Sequence, residues 1–219
     1  MAAALKFIDR EGLDALSMRR LGTELGIEAM SLYHHVPSKD TLLDGVGERL
    51  WADIPKPSGD SHWSAQLRNF ARSLRGLFHT HPHAALLLYR RNLLSRSALA
   101  VTHVYLGVLR GAGFDDGLAA EILRAVMSYS LGYGLAELTC LGVPGIQERR
   151  RARSQRERLA CLAQALPLDT PPDLAETAVA VLADCDPDAC FESGLNFMLQ
   201  GVRRPRHGGR RTPLGGIAK

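Results

Sequence analysis

Between Ser17 and Lys39 the chain reads SMRRLGTELGIEAMSLYHHVPSK, a segment that leaves its backbone few choices. Ser17 is a good helix N-cap, and Leu21 and Leu25 set an apolar stripe at i and i+4. Gly26 stands where a left-handed residue must end that helix, a conformation that glycine adopts without a Cβ penalty. Ile27 restarts the apolar pattern, and residues 28–36 form a second helix with Ile27, Leu32 and Val36 available for packing. Pro37 stops it, and Ser38 caps a further helix, KDTLLDGVGERLW. Two short helices around a glycine turn make a helix-turn-helix, whose second helix enters the major groove of DNA.

Composition agrees with a DNA partner without demanding one. The chain of 219 residues carries a net charge of +4, so the placement of the cations matters more than their sum. Much of the excess lies in the Arg-rich run at 149–158 and after Val202. Apolar runs fall short of the roughly 18 residues that span a bilayer, and the N-terminus is amphipathic rather than a signal sequence; the expectation is a cytoplasmic protein without membrane contact. Cys140, Cys161, Cys185 and Cys190 lack zinc-like spacing and are expected to be free thiols.

Helical periodicity runs through the whole chain, giving an all-α fold with no β alternation and no internal repeat. Residues 1–54 form a three-helix unit around the turn motif, with Leu5, Ile8, Leu13 and Leu16 facing inward. PKPSGDS links it to a larger helical domain over 61–203. The first helix there presents Trp63, Leu67, Phe70, Leu74, Leu77 and Phe78 on one broad face. Residues 143–170 form a connector, Asp186-Pro187 starts the last helix, and 204–219 is a disordered basic tail.

GLDALSMRRLGTELGIEAMSLYHHVPSKDTLLDGV resembles the DNA-binding domain of the TetR family of transcriptional regulators. The matching features are G-x-x-x-L-S, the L-x-x-x-L-G-I turn, S-L-Y-x-H-V in the recognition helix, and the lysine after the proline break. More loosely, the remainder is similar to the regulatory domain of the tetracycline-repressor branch, through its helix count, the HPHA junction and the GAGFDD step. Little precedes the first helix, so either a basic N-terminal arm is absent or the start is assigned too late.

The resemblance implies phosphate contacts from Tyr33 and Lys39, and Lys39 also stands at a helix N-terminus that favours an anion. Ser17 and His34 are further phosphate candidates. Base readout falls to Glu28, Ala29, Met30 and Ser31 in the first turn of the recognition helix, and to Arg19 on the helix before it. The competing readings are a solvated charge for Arg19 and Arg20 and a packing role for Met30; His35 is structural or exposed.

A homodimer is expected through two apolar stripes, Ile122, Val126, Tyr129 and Tyr133 on one helix and Phe191, Leu195, Met198 and Val202 on the last. The alternative is that both stripes are intrachain core. The family further implies a ligand cavity, expected here to take a small apolar or aromatic effector, with Leu74, Phe78, Leu86, Tyr89, Thr102, Tyr105, Met127 and Tyr133 as candidate lining; for each of these the competing reading, and the heavier one, is core packing. His79, His81 and His83 have spacing unsuited to a shared metal, and Leu87 or Leu88 stands near the histidine with which that branch holds a metal–drug chelate. Neither metal nor tetracycline carries over, and no cofactor is expected. An enzyme would need a nucleophile–base or acid–base constellation, and the chain shows no G-x-S-x-G, HExxH or phosphate loop. The nearer rival is a helical ligand-binding or interaction protein, which would show no salt-sensitive affinity for duplex DNA.

Overall fold

Ten helices and no strand make up the described part of the computed structural model, residues 1–57, 62–90, 95–139, 164, 166–180 and 186–202. The expectations for residues 149–158, for the tail and for Cys140, Cys161 and Cys185 fall outside these residues.

Helix α1 (Ala2–Glu11) buries Ala4, Leu5, Phe7 and Ile8, one face at helical spacing, and ends at Gly12. Helices α2 (Met18–Leu25) and α3 (Ala29–His35) flank the turn, and α4 (Lys39–Ala52) follows. Ser17 and Ser38 cap α2 and α4, accepting from the Arg20 and Thr41 amides at 3.2 and 3.0 Å. Each such cap contributes about 1 kcal/mol. Helix α4 buries Leu42, Leu43, Val46, Leu50 and Trp51 and packs on α1, so it closes the small N-terminal core.

Two expected core residues are not core. Leu25 and Ile27 are 43% and 41% exposed, and Met18, Leu21 and Gly22 supply the buried face of α2 instead. The left-handed turn at Gly26 carries Leu25 and Ile27 past the edge of the core.

Beyond the linker come α5 (Trp63–Thr80), α6 (Leu86–Arg90), α7 (Arg96–Gly111), α8 (Asp116–Thr139), α9 (Pro172–Ala178) and α10 (Pro187–Gly201). The broadest contact is between α5 and α8. All six apolar residues expected on α5 are buried. On α8, a Cβ at Gly134 would stand 2.5 Å from the Phe78 ring, so only glycine permits the approach seen here. Cys190 is disulfide-bonded, which corrects the free-thiol expectation for it. Spacing excludes a zinc motif but does not say which thiols folding brings together.

The N-terminal unit is tied to the rest through specific bonds. The Glu48 carboxylate on α4 accepts the Arg96 and Ser97 amides at 2.8 and 2.9 Å, which makes it a cap for α7. His81 pairs with Asp9 of α1 at 2.7 Å, and the Tyr105 hydroxyl donates to the Pro55 carbonyl at 2.9 Å.

Candidate nucleic-acid interface and effector cleft

The turn between α2 and α3 is fixed by backbone geometry before any side chain is considered. Gly26 has φ 67°, and its amide and that of Ile27 return to the Thr23 and Gly22 carbonyls at 3.2 and 3.0 Å. A Cβ at Gly22 would lie 2.9 Å from the Ile27 carbonyl oxygen and 3.3 Å from the Ala29 nitrogen. Glycine at 22 therefore sets how closely the recognition helix approaches its partner, and the sequence reading overlooked it. Its signal was present: a glycine four residues before the turn glycine, on the face that Met18 and Leu21 bury.

Helix α3 buries only Leu32, with Val36 following as its C-cap. Its other side chains are free for contact. Met30 is 67% exposed, which argues against the packing role, and Tyr33 is 44% exposed. Ser31, His34 and His35 are also exposed, Ala29 is half-buried, and Glu28 is the exposed N-cap residue whose side chain makes no capping bond. Lys39 opens α4, one residue after its cap. Ser17 uses its hydroxyl oxygen to cap α2, and its hydroxyl hydrogen remains for a phosphate.

The two neighbouring arginines separate cleanly. Arg20 donates to the Ala15 carbonyl at 3.0 Å and to Glu11 at 3.1 Å, and lies over the Phe7 ring. Arg19 is exposed and has no ionic partner among the described residues. It is the cation of the pair still available to a base edge or phosphate.

The effector residues fare differently. Leu74 and Phe78 are fully buried core, and Leu86, Thr102, Met127 and Tyr133 are half-buried. The Tyr89 side chain lies outside the described residues. A cleft of about 340 Å³ lies between the linker, α5 and α7, and of the expected residues it includes Tyr105 alone. Leu74 and Phe78 belong to the buried face of α5, and the polar edge of the same helix lines the cleft with Asn69, Arg72 and Ser73. Leu87 and Leu88 are buried. No cluster able to hold a metal is found among the described residues: His79 bonds Glu137 at 2.9 Å and His81 bonds Asp9.

The stripes assigned to a dimer meet in part within one chain. Ile122, Val126, Phe191 and Leu195 are buried, and Tyr129, Tyr133, Met198 and Val202 pack half-buried against them. Tyr129 and Tyr133 donate to the Phe191 and Pro187 carbonyls, both at 3.0 Å, and their rings lie 5.3 and 5.2 Å from that of Phe191. Tyr129, Tyr133 and Phe191 thus cover one another within the chain, while Tyr129, Tyr133, Met198 and Val202 keep part of their surface exposed. Outward on α10 stands Phe197, 74% exposed. Beneath the aromatic contact, Arg75 forms a bidentate pair with Glu137 at 2.9 and 2.7 Å, reaches Asp188 at 2.7 Å, and sits 4.8 Å from the Phe191 ring centre. Burial works against ionising Glu137, but the bonds from Arg75 and His79 outweigh it and hold the carboxyl below its ordinary range. Burial, reinforced by Glu137, pushes the Tyr133 phenol up to about 12.

Residues 1–46 match the family described as bacterial regulatory proteins, tetR family, and residues 54–205 match the tetracyclin repressor-like C-terminal domain. A curated relative, the HTH-type transcriptional repressor DrrR1 of Streptomyces coeruleorubidus, is 34% identical over 62% of this chain. This chain spans about half of that relative, 51% of its length. Among solved structures, a possible TetR-family transcriptional regulator from Streptomyces coelicolor A3(2) superposes with TM-score 0.71 and 32% identity over 91% of this chain and 95% of that one. The TetR family protein ActR of Streptomyces coelicolor, in complex with actinorhodin, gives TM-score 0.67 and 29% identity over 91% of this chain and 92% of its own.

Proposed function

The chain belongs to the TetR family of bacterial regulatory proteins, and from that premise we propose that it is a ligand-responsive repressor binding a palindromic operator as a homodimer. Residues 1–54 read the DNA and 61–203 dimerise and bind the effector. The protein acts in the cytoplasm as a regulator and not as a catalyst. No helix among the described residues is long and apolar enough to cross a membrane.

The observation that carries the reading is the exposed face around the turn: Arg19, Met30, Ser31, Tyr33 and Lys39 stand outward while Leu21, Leu32 and Val36 anchor the helices beneath them. Tyr33, Lys39, Ser17 and His34 take phosphates, and Glu28, Ala29, Met30, Ser31 and Arg19 face the base edges. The relative DrrR1 is a repressor, and ActR binds a small molecule; both support the assignment. Effector binding favours a conformation whose two recognition helices are mis-spaced for successive major grooves, and by linkage operator and effector weaken each other equally.

A gel shift on duplex DNA flanking the gene tests this. Wild-type protein should bind with a steep salt dependence, and Tyr33→Ala or Lys39→Ala should weaken binding about tenfold while the fold is retained. Absence of duplex binding from every flanking segment would overturn the assignment.

A further inference from the structure

The cleft against the linker has a composition that no apolar effector would need. Its open side carries Lys56, which is exposed and has no partner among the described residues, and the Asn69 carboxamide, which makes no hydrogen bond there either. Arg72 completes the polar side. Glu192 occupies its Nε and Nη2 at 2.6 and 2.9 Å, leaving Nη1 without a partner among the described residues. Arg68, one turn before it, also approaches Glu192, at 4.0 Å. The local balance is thus three cations against one carboxylate, and the neighbouring Arg49–Asp53 pair is neutral.

The opposite side is flat and stiff. Pro55 and Pro57 have fixed φ, and Tyr105 stacks on Phe70 with ring centres 4.2 Å apart while its hydroxyl holds the Pro55 carbonyl. A volume of about 340 Å³ falls at the small end of ligand sites and suits a molecule of one or two fused rings.

Resting on the regulator reading above, we propose that this cleft is the effector site and that it selects a planar aromatic carboxylate, whose anion lies between Lys56 and Arg72 with the Asn69 amide donating, and whose ring lies on Pro55, Pro57 and Tyr105. A carboxylate supplies the acceptors that Lys56 Nζ, Arg72 Nη1 and Asn69 Nδ2 lack. The site's position gives it leverage: its occupant touches the linker that leaves α4 and the helix α7 that Glu48 caps, so it binds across the joint between the two halves.

The test uses the full-length protein and three probes of one shape: 2-naphthoate, 2-naphthamide and 2-naphthylmethylammonium, titrated by calorimetry at low salt. The expected result is saturable binding of naphthoate, at least about tenfold weaker binding of the amide, and none of the ammonium. Lys56→Gln should weaken naphthoate about tenfold with its circular dichroism and operator binding unchanged, and Lys56→Glu should reverse the preference toward the ammonium. Equal binding of naphthoate and naphthamide, an unchanged affinity in Lys56→Gln, or no saturable naphthoate binding would each overturn the proposal. Operator binding is measured on the same preparations. Its absence beside intact naphthoate binding counts against the regulator reading alone, and the converse counts against the cleft alone.

Discussion

Gly22 is the residue on which the close approach of α2 and α3 turns. It has an unremarkable φ, and what demands glycine is the Ile27 carbonyl 2.9 Å from where a Cβ would stand. Because the obstacle is backbone, a flexible side chain cannot move aside to relieve it. Gly22→Ala should cost about 1–3 kcal/mol, read as a lower urea midpoint, and should weaken operator binding further by rotating α3. Arg75 and Glu137 pose a different residue-scale problem, since both side chains are only 9% exposed. Removing one leaves the other charge stranded, so Glu137→Ala should cost about 3–5 kcal/mol, toward the lower figure because Asp188 still reaches Arg75. The pH dependence follows from direction alone. Glu137 titrates lower folded than unfolded, so its stabilisation is complete above the unfolded carboxyl range and is lost as pH falls through the folded value. Glu137→Gln should flatten the acid limb of a stability–pH curve, and an unchanged limb would show that the pair contributes nothing there.

At the scale of elements, α7 is held at its start by a carboxylate from another helix. Bonds from Ser97, by side chain and by amide, together with the Arg96 amide keep Glu48 below the ordinary carboxyl range despite some burial. Ser95 caps the same turn locally, accepting from the Ala98 amide at 3.2 Å. The first turn of α7 is therefore doubly satisfied, once from within and once from the N-terminal unit. Glu48→Ala should release the Arg96 and Ser97 amides and cost about 1–2 kcal/mol. Amide hydrogen exchange resolved by residue should show those two positions accelerating while the α7 interior stays protected; uniform acceleration would mean that the contact supports the whole fold and does not act as a local joint.

Across the whole molecule, the sequence disclosed helices better than it disclosed which helix faces which. The breaks at Gly12, Gly26 and Pro37, the caps Ser17 and Ser38 and the buried face of α5 were all legible, because each depends on residues within a turn or two. The stripes of α8 and α10 were equally visible, but periodicity says only that a face is covered and not by what; here Tyr129 and Tyr133 of one meet Phe191 of the other. Candidate DNA-reading residues could be named because a family motif fixed their order; the cleft proposed for the effector could not, since its wall combines a linker with the polar edge of a helix whose other face is apolar. Phe197 was not singled out for the complementary reason: it lies off the apolar stripe and is 74% exposed among the described residues. If a second copy covers it, Phe197→Glu should cost about 2 kcal/mol of association, moving the protein toward monomer in sedimentation at micromolar concentration and weakening operator binding in step. An unchanged dimer would place the interface elsewhere.

The recognition helix spans only Ala29–His35 and sinks a single side chain, Leu32, into the core, while a helix this short has little stability of its own in water. Its shape is thus borrowed from the turn and from α2, and the positions proposed to face DNA bear almost none of the fold. Mutation can rewrite Glu28, Met30 and Ser31 without a folding penalty to veto the change. Duplicated copies of such a gene are free to drift toward new operators long before their architecture feels any strain.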